Sequence, residues 1–103
     1  MKFDVYLTNE AQENLKQLEK IEQKKVLKAI DIIENVDIEA VNTRPLTDKI
    51  YEIKTDNVRS LFTYAKNQII IIALIFIKKT QKTPPKYIDK AVNILKEYDT
   101  WKN

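Results

Sequence analysis

The feature that most constrains the fold is an unbroken run of nine apolar residues, Ile69–Ile77. No residue in the run is polar or charged, so both faces of the segment must be covered, which is typical of a central β-strand. Nine residues are far fewer than the ~20 that a membrane-spanning helix needs. The run therefore predicts a buried strand in the middle of a sheet, and we expect no association with a membrane.

Four lysines follow the apolar run within nine residues: Lys78, Lys79, Lys82 and Lys86. They concentrate positive charge at the rim of the predicted sheet. They also lie before and within the first turn of a predicted helix, where the helix dipole disfavours cations, so the cluster opposes local stability. This favours a binding site for an anionic ligand. The alternative is an ordinary solvated edge of the sheet.

Composition restricts the chemistry that the chain can perform. The 103 residues predict one domain, 1–103, and they include neither cysteine nor histidine. Disulfides, thiolate nucleophiles, nearly all zinc sites and the histidine base of many hydrolases are thereby excluded. Catalysis would have to use Lys, Arg, Tyr, Asp or Glu, and we expect neither a metal nor a cofactor. The lack of cysteine and of an apolar signal-peptide core predicts a cytoplasmic protein.

Charge is distributed unevenly along the chain, although the net charge is only +3. Residues 1–45 contain seven basic and nine acidic side chains, whereas residues 46–103 contain eleven basic and six acidic ones. The positive potential therefore belongs to the C-terminal half. This pattern indicates a polyanion or an acidic protein as the partner.

The N-terminal half predicts one strand and two helices. Residues Lys2–Leu7 alternate between apolar and polar side chains, as in a half-buried strand. Thr8 or Asn9 can cap a first helix, and residues Glu19–Glu22 predict a brief turn. A second helix then runs to about Val36, so that the two helices form a hairpin. The apolar stripes of the two helices consist of Ala11, Leu15 and Leu18, and of Val26, Ala29, Ile30, Ile33 and Val36.

The C-terminal half predicts three strands and one helix. A connector over Asp37–Asp48, interrupted by Pro45, leads into a meander of three strands, Ile50–Lys54, Val58–Tyr64 and Ile69–Ile77. Pro85 predicts the first turn of a last helix that extends from Lys86 to about Tyr98, with an apolar stripe that includes Val92. The predicted fold is α+β with the order β-α-α-β-β-β-α. The helical hairpin and the C-terminal helix pack on a small, mainly antiparallel four-stranded sheet.

Three segments carry a resemblance to a known family: Leu46–Lys54, the strand around Arg59, and Phe76–Pro84. Together with the order of elements, they resemble the RelE/ParE toxin superfamily, and in particular its phage-derived HigB-like subgroup. The resemblance implies the RelE-like fold and the toxin of a type II toxin–antitoxin system. It also implies a cognate antitoxin, expected to be a HigA-like helix-turn-helix protein, through which alone the toxin would meet DNA.

The activity within this superfamily differs between its branches. RelE- and HigB-type members cut mRNA in the ribosomal decoding site, whereas ParE-type members inhibit DNA gyrase without cutting. The resemblance to the HigB-like lysine run implies a ribosome-dependent, metal-independent endoribonuclease that acts on translated mRNA. Two alternatives stay open: a ParE-like gyrase inhibitor, and a non-toxic protein that acts as co-repressor with its antitoxin.

The resemblance also implies a set of site residues on the sheet face away from the helical hairpin. Arg59 would stabilise phosphoryl charge in the transition state, and Lys54 or Lys79 would act as the base, since a partly desolvated lysine among cations has a lowered pKa. Substrate contacts are expected from Lys78, Lys82, Lys86 and Tyr87. Arg59 is expected to be exposed. The alternative is that it only forms an ion pair with Glu52 on the neighbouring strand.

Overall fold

The computed structural model describes residues 2–101, with their side chains as far as Tyr98. Within residues 2–101, five strands and three α-helices are formed. The strands are β1 (Asp4–Leu7), β2 (Thr43–Pro45), β3 (Tyr51–Thr55), β4 (Val58–Ala65) and β5 (Ile69–Ile77). The helices are α1 (Asn9–Gln17), α2 (Lys20–Asn35) and α3 (Pro85–Leu95), and short 3₁₀ turns cover Ile38–Ala40, Lys66–Gln68 and Lys96–Trp101.

The sheet has the order β1-β5-β4-β3-β2. β5 pairs in parallel with β1 and antiparallel with β4, and the remaining pairs are antiparallel. One face is covered by α1 and α2, through Ala11, Val26, Ala29 and Ile33. The other face is covered by α3, through Ala91 and Leu95. The predicted α+β fold, with its central apolar strand and hairpin of helices, is therefore confirmed.

The predicted number of four strands is wrong, because β2 lies within the segment interpreted as a connector. β2 is only three residues long and ends at Pro45. Proline cannot donate a backbone hydrogen bond, so it is tolerated in a sheet mainly at an edge. β2 is such an edge strand, and its pairing with β3 places Arg44 directly opposite Glu52.

The helix boundaries also differ from the prediction. The segment Glu19–Glu22 is not a turn, because Glu19 caps α2 and forms a capping box with the side chain of Glu22. Val36 and Val92 were assigned to the buried stripes but are exposed, Val36 by 61%. Val36 is the C-cap of α2, one residue beyond the end of the helix, and Val92 lines a surface cavity with residues Thr47–Ile50.

Two tight turns use the left-handed backbone region without glycine. Asp56 has φ of 57° in the β3–β4 turn, and Asn67 has φ of 60° in the turn before β5. Asp and Asn adopt this region more readily than most other residues that carry a Cβ atom. Gln68, with φ of 58°, adopts it too, although glutamine has no comparable preference.

A β-bulge interrupts the pairing of β4 with β5 between Leu61 and Phe62. Leu61 lies opposite Leu74 and Phe62 lies opposite Ile72, so Ala73 is the additional residue on β5. Ala73 and Leu74 consequently both belong to the core under α3. A bulge of this kind reverses which face the following residues point to. The second half of β5 therefore directs its even-numbered residues toward α3.

Thr8 links this bulge to the first helix. Its hydroxyl accepts a hydrogen bond from the backbone N–H of Ala11 at 3.1 Å and donates one to the carbonyl of Ala73 at 2.7 Å. We expect Thr8→Val to lower the free energy of unfolding by about 2 kcal/mol or more, because it removes a helix cap and leaves a buried carbonyl unpaired. Urea unfolding measures the loss. Thr8→Ser, which retains the hydroxyl, is the control, and equal losses in the two variants would contradict the assignment.

Candidate active site

The candidate site is built around the carboxylate of Glu52 on β3, whose residue surface is only 2% exposed. Its Oε1 atom lies 3.1 Å from Nε of Arg44 and 3.5 Å from Nε of Arg59. Its Oε2 atom accepts a hydrogen bond from the hydroxyl of Thr83. A buried carboxylate is tolerated only when it is paired. The carboxylate of Glu52 therefore contacts two arginines and, through Thr83, the lysine-rich loop after β5.

Arg59 lies on β4 and is 7% exposed. Its Nη1 donates to the carbonyl oxygens of Asp56 and Val58, which fixes the β3–β4 turn. Its buried Nε has no hydrogen-bond partner among the described residues, since Glu52 at 3.5 Å is too distant and poorly aligned. The expectation that Arg59 is exposed is wrong. The ion pair with Glu52, predicted as the alternative, is present.

Arg44 is a site residue that sequence reasoning missed. Its side chain is about half exposed, and it pairs with Glu52 across β2 and β3. The only local signal is that Arg44 precedes Pro45, because a residue before proline is biased toward extended backbone. That bias is too weak to distinguish a three-residue edge strand from a connector. Arg44 adds an accessible guanidinium at the point where Arg59 is buried.

A cavity of about 270 Å³, which we call the cation cavity, opens beside Glu52. Its lining residues are Asn42, Thr43, Arg44, Glu52, Lys54, Arg59, Lys78 and Gln81. Four cationic side chains face one carboxylate, so the cavity has an excess of positive charge. Glu52 lies opposite Leu61, which belongs to the core under α3. The cavity is thus on the sheet face away from the hairpin, where the resemblance placed the site.

Lys78 is the lysine of the loop that enters the cation cavity. Partial loss of hydration lowers the pKa of Lys78 below its ordinary value; the carboxylate of Glu52 opposes this change, and the charges of Arg44, Arg59 and Lys54 reinforce it. A lowered pKa is the direction of change that a lysine acting as a general base requires. Lys78, which the sequence placed among the substrate contacts, is therefore a candidate for the base.

Lys79 lines a different space, which we call the β5-end cleft. This cleft of about 390 Å³ lies between α1, the end of β5 and the start of α3. Its polar wall includes Asn14 and an ion pair between Lys90 and Glu10 at 3.2 Å. Lys54 and Lys79 were expected on one rim, but the structure places them in separate cavities. Lys79 is therefore not positioned beside Glu52.

The remaining predicted residues surround the loop and the cleft. The ring of Tyr87 stacks on Phe76 with a centroid distance of 3.9 Å, and Nζ of Lys86 lies 5.2 Å from the centre of the Tyr87 ring. Lys82 is exposed, and its carbonyl accepts a hydrogen bond from the hydroxyl of Thr80. The structure thus brings Arg59, Lys54 and Lys78 together in the cation cavity. It leaves Lys79, Lys82, Lys86 and Tyr87 outside that cavity.

Neither a metal cluster nor a membrane segment is found in residues 2–101. No group of three or more Asp, Glu, His or Cys side chains in this range could hold a metal ion. Across the same range, none of the helices combines the length and the apolar character needed to cross a bilayer.

Solved structures that resemble this fold include RelE proteins. The archaeal RelE–RelB complex from Pyrococcus horikoshii OT3 matches with a TM-score of 0.64 and 20% identity, over 77% of this chain and 98% of that chain. The RelBE2 toxin–antitoxin complex from Mycobacterium tuberculosis matches with a TM-score of 0.64 and 15% identity, over 76% and 100%. A free mutant of E. coli toxin RelE matches with a TM-score of 0.64 and 15% identity, over 90% and 97%. The fold is therefore that of the RelE toxins.

The family follows from a sequence comparison. Residues 13–96 match the family model described as phage-derived protein Gp49-like. Because the match covers most of the chain, the protein belongs to this Gp49-like family, and the predicted membership in the RelE/ParE superfamily is confirmed. Among curated proteins, none matches the sequence significantly.

Proposed function

We propose that this chain is the toxin of a type II toxin–antitoxin system and that it cleaves translated mRNA on the ribosome. The observation that carries the proposal is the cation cavity, where Lys54, Lys78, Arg44 and Arg59 surround one buried carboxylate. Such a cavity fits a phosphodiester, since arginine and lysine are the side chains that bind phosphate oxygens. The RelE fold and the Gp49-like family support the same assignment.

The proposed reaction starts from the 2′-hydroxyl of the RNA. The neutral amine of Lys78 takes the hydroxyl proton, the O2′–P bond forms, and the P–O5′ bond breaks. The ammonium of Lys54, in the same cavity, gives a proton to the departing 5′-oxygen. The products are a 2′,3′-cyclic phosphate and a 5′-hydroxyl. General acid–base catalysis of this kind contributes about 10²–10⁴ in rate.

The two arginines have different proposed roles. Arg44 is half exposed and can bind the equatorial oxygens of the phosphorane through its planar guanidinium. Arg59 is buried and holds the β3–β4 turn and Glu52 in place, so it acts mainly as a positioning residue and adds positive potential. No metal is needed in this scheme, because the four cations stabilise the developing charge.

Residues outside the cavity are proposed to hold the RNA on either side of the cut. Lys79 and Tyr87 line the β5-end cleft, and Lys82 and Lys86 are exposed along the loop and the first turn of α3. They would contact neighbouring nucleotides. The ribosome would supply the near-attack geometry that a weak base on a small protein requires. We therefore place the activity in the cytoplasm.

The proposed partner is a cognate antitoxin, expected to be a HigA-like helix-turn-helix protein that alone connects the toxin to DNA. RelE proteins of this fold have been solved in complex with the antitoxin RelB. The excess of cations in the cation cavity would be neutralised by an acidic surface. This makes a charge-complementary interface the expected mode of inhibition.

The experiment that tests this function is a short induction of the chain in bacteria, followed by mapping of new 5′ ends. We expect cuts within translated codons, and we expect them to vanish from a reporter mRNA whose start codon is mutated. Growth arrest with intact mRNA and induction of the DNA-damage response would instead identify a gyrase inhibitor. Normal growth of cells that contain the soluble protein would support the non-toxic co-repressor.

A further inference from the structure

A groove on the hairpin side of the sheet is not used by the proposed reaction. This α2 groove, of about 290 Å³, lies between α2, the segment before β2, and the end of β3. Its lining residues are Lys25, Lys28, Ala29, Ile32, Val41, Asn42, Lys54, Thr55 and Asp56. The floor is apolar, from Ala29, Ile32 and Val41, and three lysines stand around it. An apolar floor with a cationic rim is complementary to an acidic, amphipathic ligand.

The surface of α2 extends this pattern beyond the groove. Ile21, Lys25, Lys28 and Ile32 recur at spacings of four, three and four residues, so they lie on one face of the helix. Ile21, at the N-terminal end of this face, is 69% exposed. A large exposed aliphatic side chain next to lysines continues the same mixture of apolar and cationic surface. The complementary partner is a segment that alternates acidic and apolar residues.

Two residues connect the α2 groove to the cation cavity. Lys54 and Asn42 line both spaces, so Lys54 stands in the wall between them. Lys25, by contrast, is already paired with Asp56 on the far side of the groove. A carboxylate seated in the groove would therefore find Lys28 and Lys54 as its counterions. Pairing with Lys54 would remove positive charge from the cation cavity without any part of the ligand entering it.

We propose that the α2 groove is the docking site of an acidic, amphipathic segment of the antitoxin. This segment inhibits the toxin by pairing with Lys54 from the α2 groove, without entering the cation cavity. This inference rests on the proposed function. Among the side chains that the structure describes, no aromatic residue lines the groove, which distinguishes it from sites that hold single-stranded RNA through stacking on aromatic rings. Pairing of Lys54 also has a chemical consequence, because the charge of Lys54 is among those that lower the pKa of Lys78. A neutralised Lys54 leaves Lys78 more fully protonated and a poorer base.

The test is the charge reversal Lys28→Glu, measured with and without the antitoxin encoded beside the toxin. Lys28 is exposed and does not line the cation cavity, so the variant alone should cleave mRNA at the wild-type rate. Binding of the antitoxin should weaken about 10-fold or more, since like charges would meet in the groove. The control is Lys66→Glu, which makes the same change of charge in the exposed turn at the other end of β4 and should bind normally.

The outcomes separate this inference from the function on which it rests. A toxic Lys28→Glu variant that the antitoxin binds and neutralises as well as wild type overturns the docking site and leaves the nuclease intact. A Lys28→Glu variant that melts normally but cleaves poorly without antitoxin shows that the groove holds RNA, which also overturns the proposal. A wild-type chain that neither arrests growth nor cuts mRNA overturns the proposed function itself.

Discussion

Replacing Lys78 with arginine should reduce the rate of mRNA cleavage by about 10²–10⁴, because arginine keeps the positive charge but cannot lose its proton to act as a base. Lys78 is the lysine of the loop that enters the cation cavity, where its pKa is lowered. Binding of the RNA should change little, since the charge is retained. Cleavage of a defined mRNA on purified ribosomes measures the rate, and filter binding measures the affinity.

The pH dependence gives a second readout of the same assignment. A base must be neutral to accept a proton, so the rate should rise with pH until the pKa of Lys78 is passed. Because that pKa is lowered from the ordinary 10.5, the rise should level off below pH 10.5. Lys79→Arg is the matched control, since the neighbouring lysine lines the β5-end cleft instead. Loss of activity in Lys79→Arg, with normal activity in Lys78→Arg, would identify Lys79 as the base.

Removing the carboxylate of Glu52 should have the largest effect on stability. In Glu52→Leu, the buried guanidinium of Arg59 loses its counterion, and Thr83 loses its acceptor. Removing one partner of a buried ion pair typically costs about 3–5 kcal/mol. We expect Glu52→Leu to lower the free energy of unfolding in urea by this amount. The double variant Glu52→Leu with Arg59→Met should recover most of the loss, because no unpaired charge is then buried.

An exposed ion pair on α1 provides the comparison. Lys16 and Glu13 lie 3.3 Å apart with largely exposed side chains, and Glu13→Leu should cost less than ~1 kcal/mol. A loss of similar size in Glu52→Leu would show that the buried ion pair of Glu52 does not stabilise the fold.

Burial of Arg59 changes the interpretation of the variant Arg59→Ala. If Arg59 were exposed, as the sequence led us to expect, Arg59→Ala would keep the fold intact. Because Arg59 is buried beside Glu52, loss of activity in Arg59→Ala must be compared with its loss of stability.

Local patterns in the sequence were sufficient for most of the fold. Nine apolar residues in a row predicted a central strand, and the alternation before Thr8 predicted a half-buried strand. Helical spacing in the next segment identified the hairpin, because the buried residues of α2 repeat at its period. These features depend only on which side chains must avoid water. β2 escaped detection because three residues are too few for any period to show.

The resemblance predicted a site on the sheet face away from the hairpin, and the cation cavity lies on that face, but its internal arrangement was not predicted. Burial of Arg59, and its neutralisation by Glu52, depend on the register of β3 against β4 and on the loop that brings Thr83 to the carboxylate. Contacts between residues this distant along the chain leave no local periodicity. The same reason explains why Arg44 was missed.

The choice between Lys78 and Lys79 was made by the tertiary structure alone. In a regular strand, side chains alternate between the two faces of the sheet. Ile70 faces the hairpin, so without a bulge the odd-numbered residues of β5 would face α3, and Lys79 would lie on that face. The bulge at Ala73 reverses this order, so that Leu74, Phe76 and then Lys78 follow the face of the cation cavity. The sequence by itself determined that a buried strand delivers lysines to the rim of the sheet. One additional residue in the pairing of β4 with β5 decided which lysine enters the site, because a strand's side chains exchange faces whenever its register shifts by one.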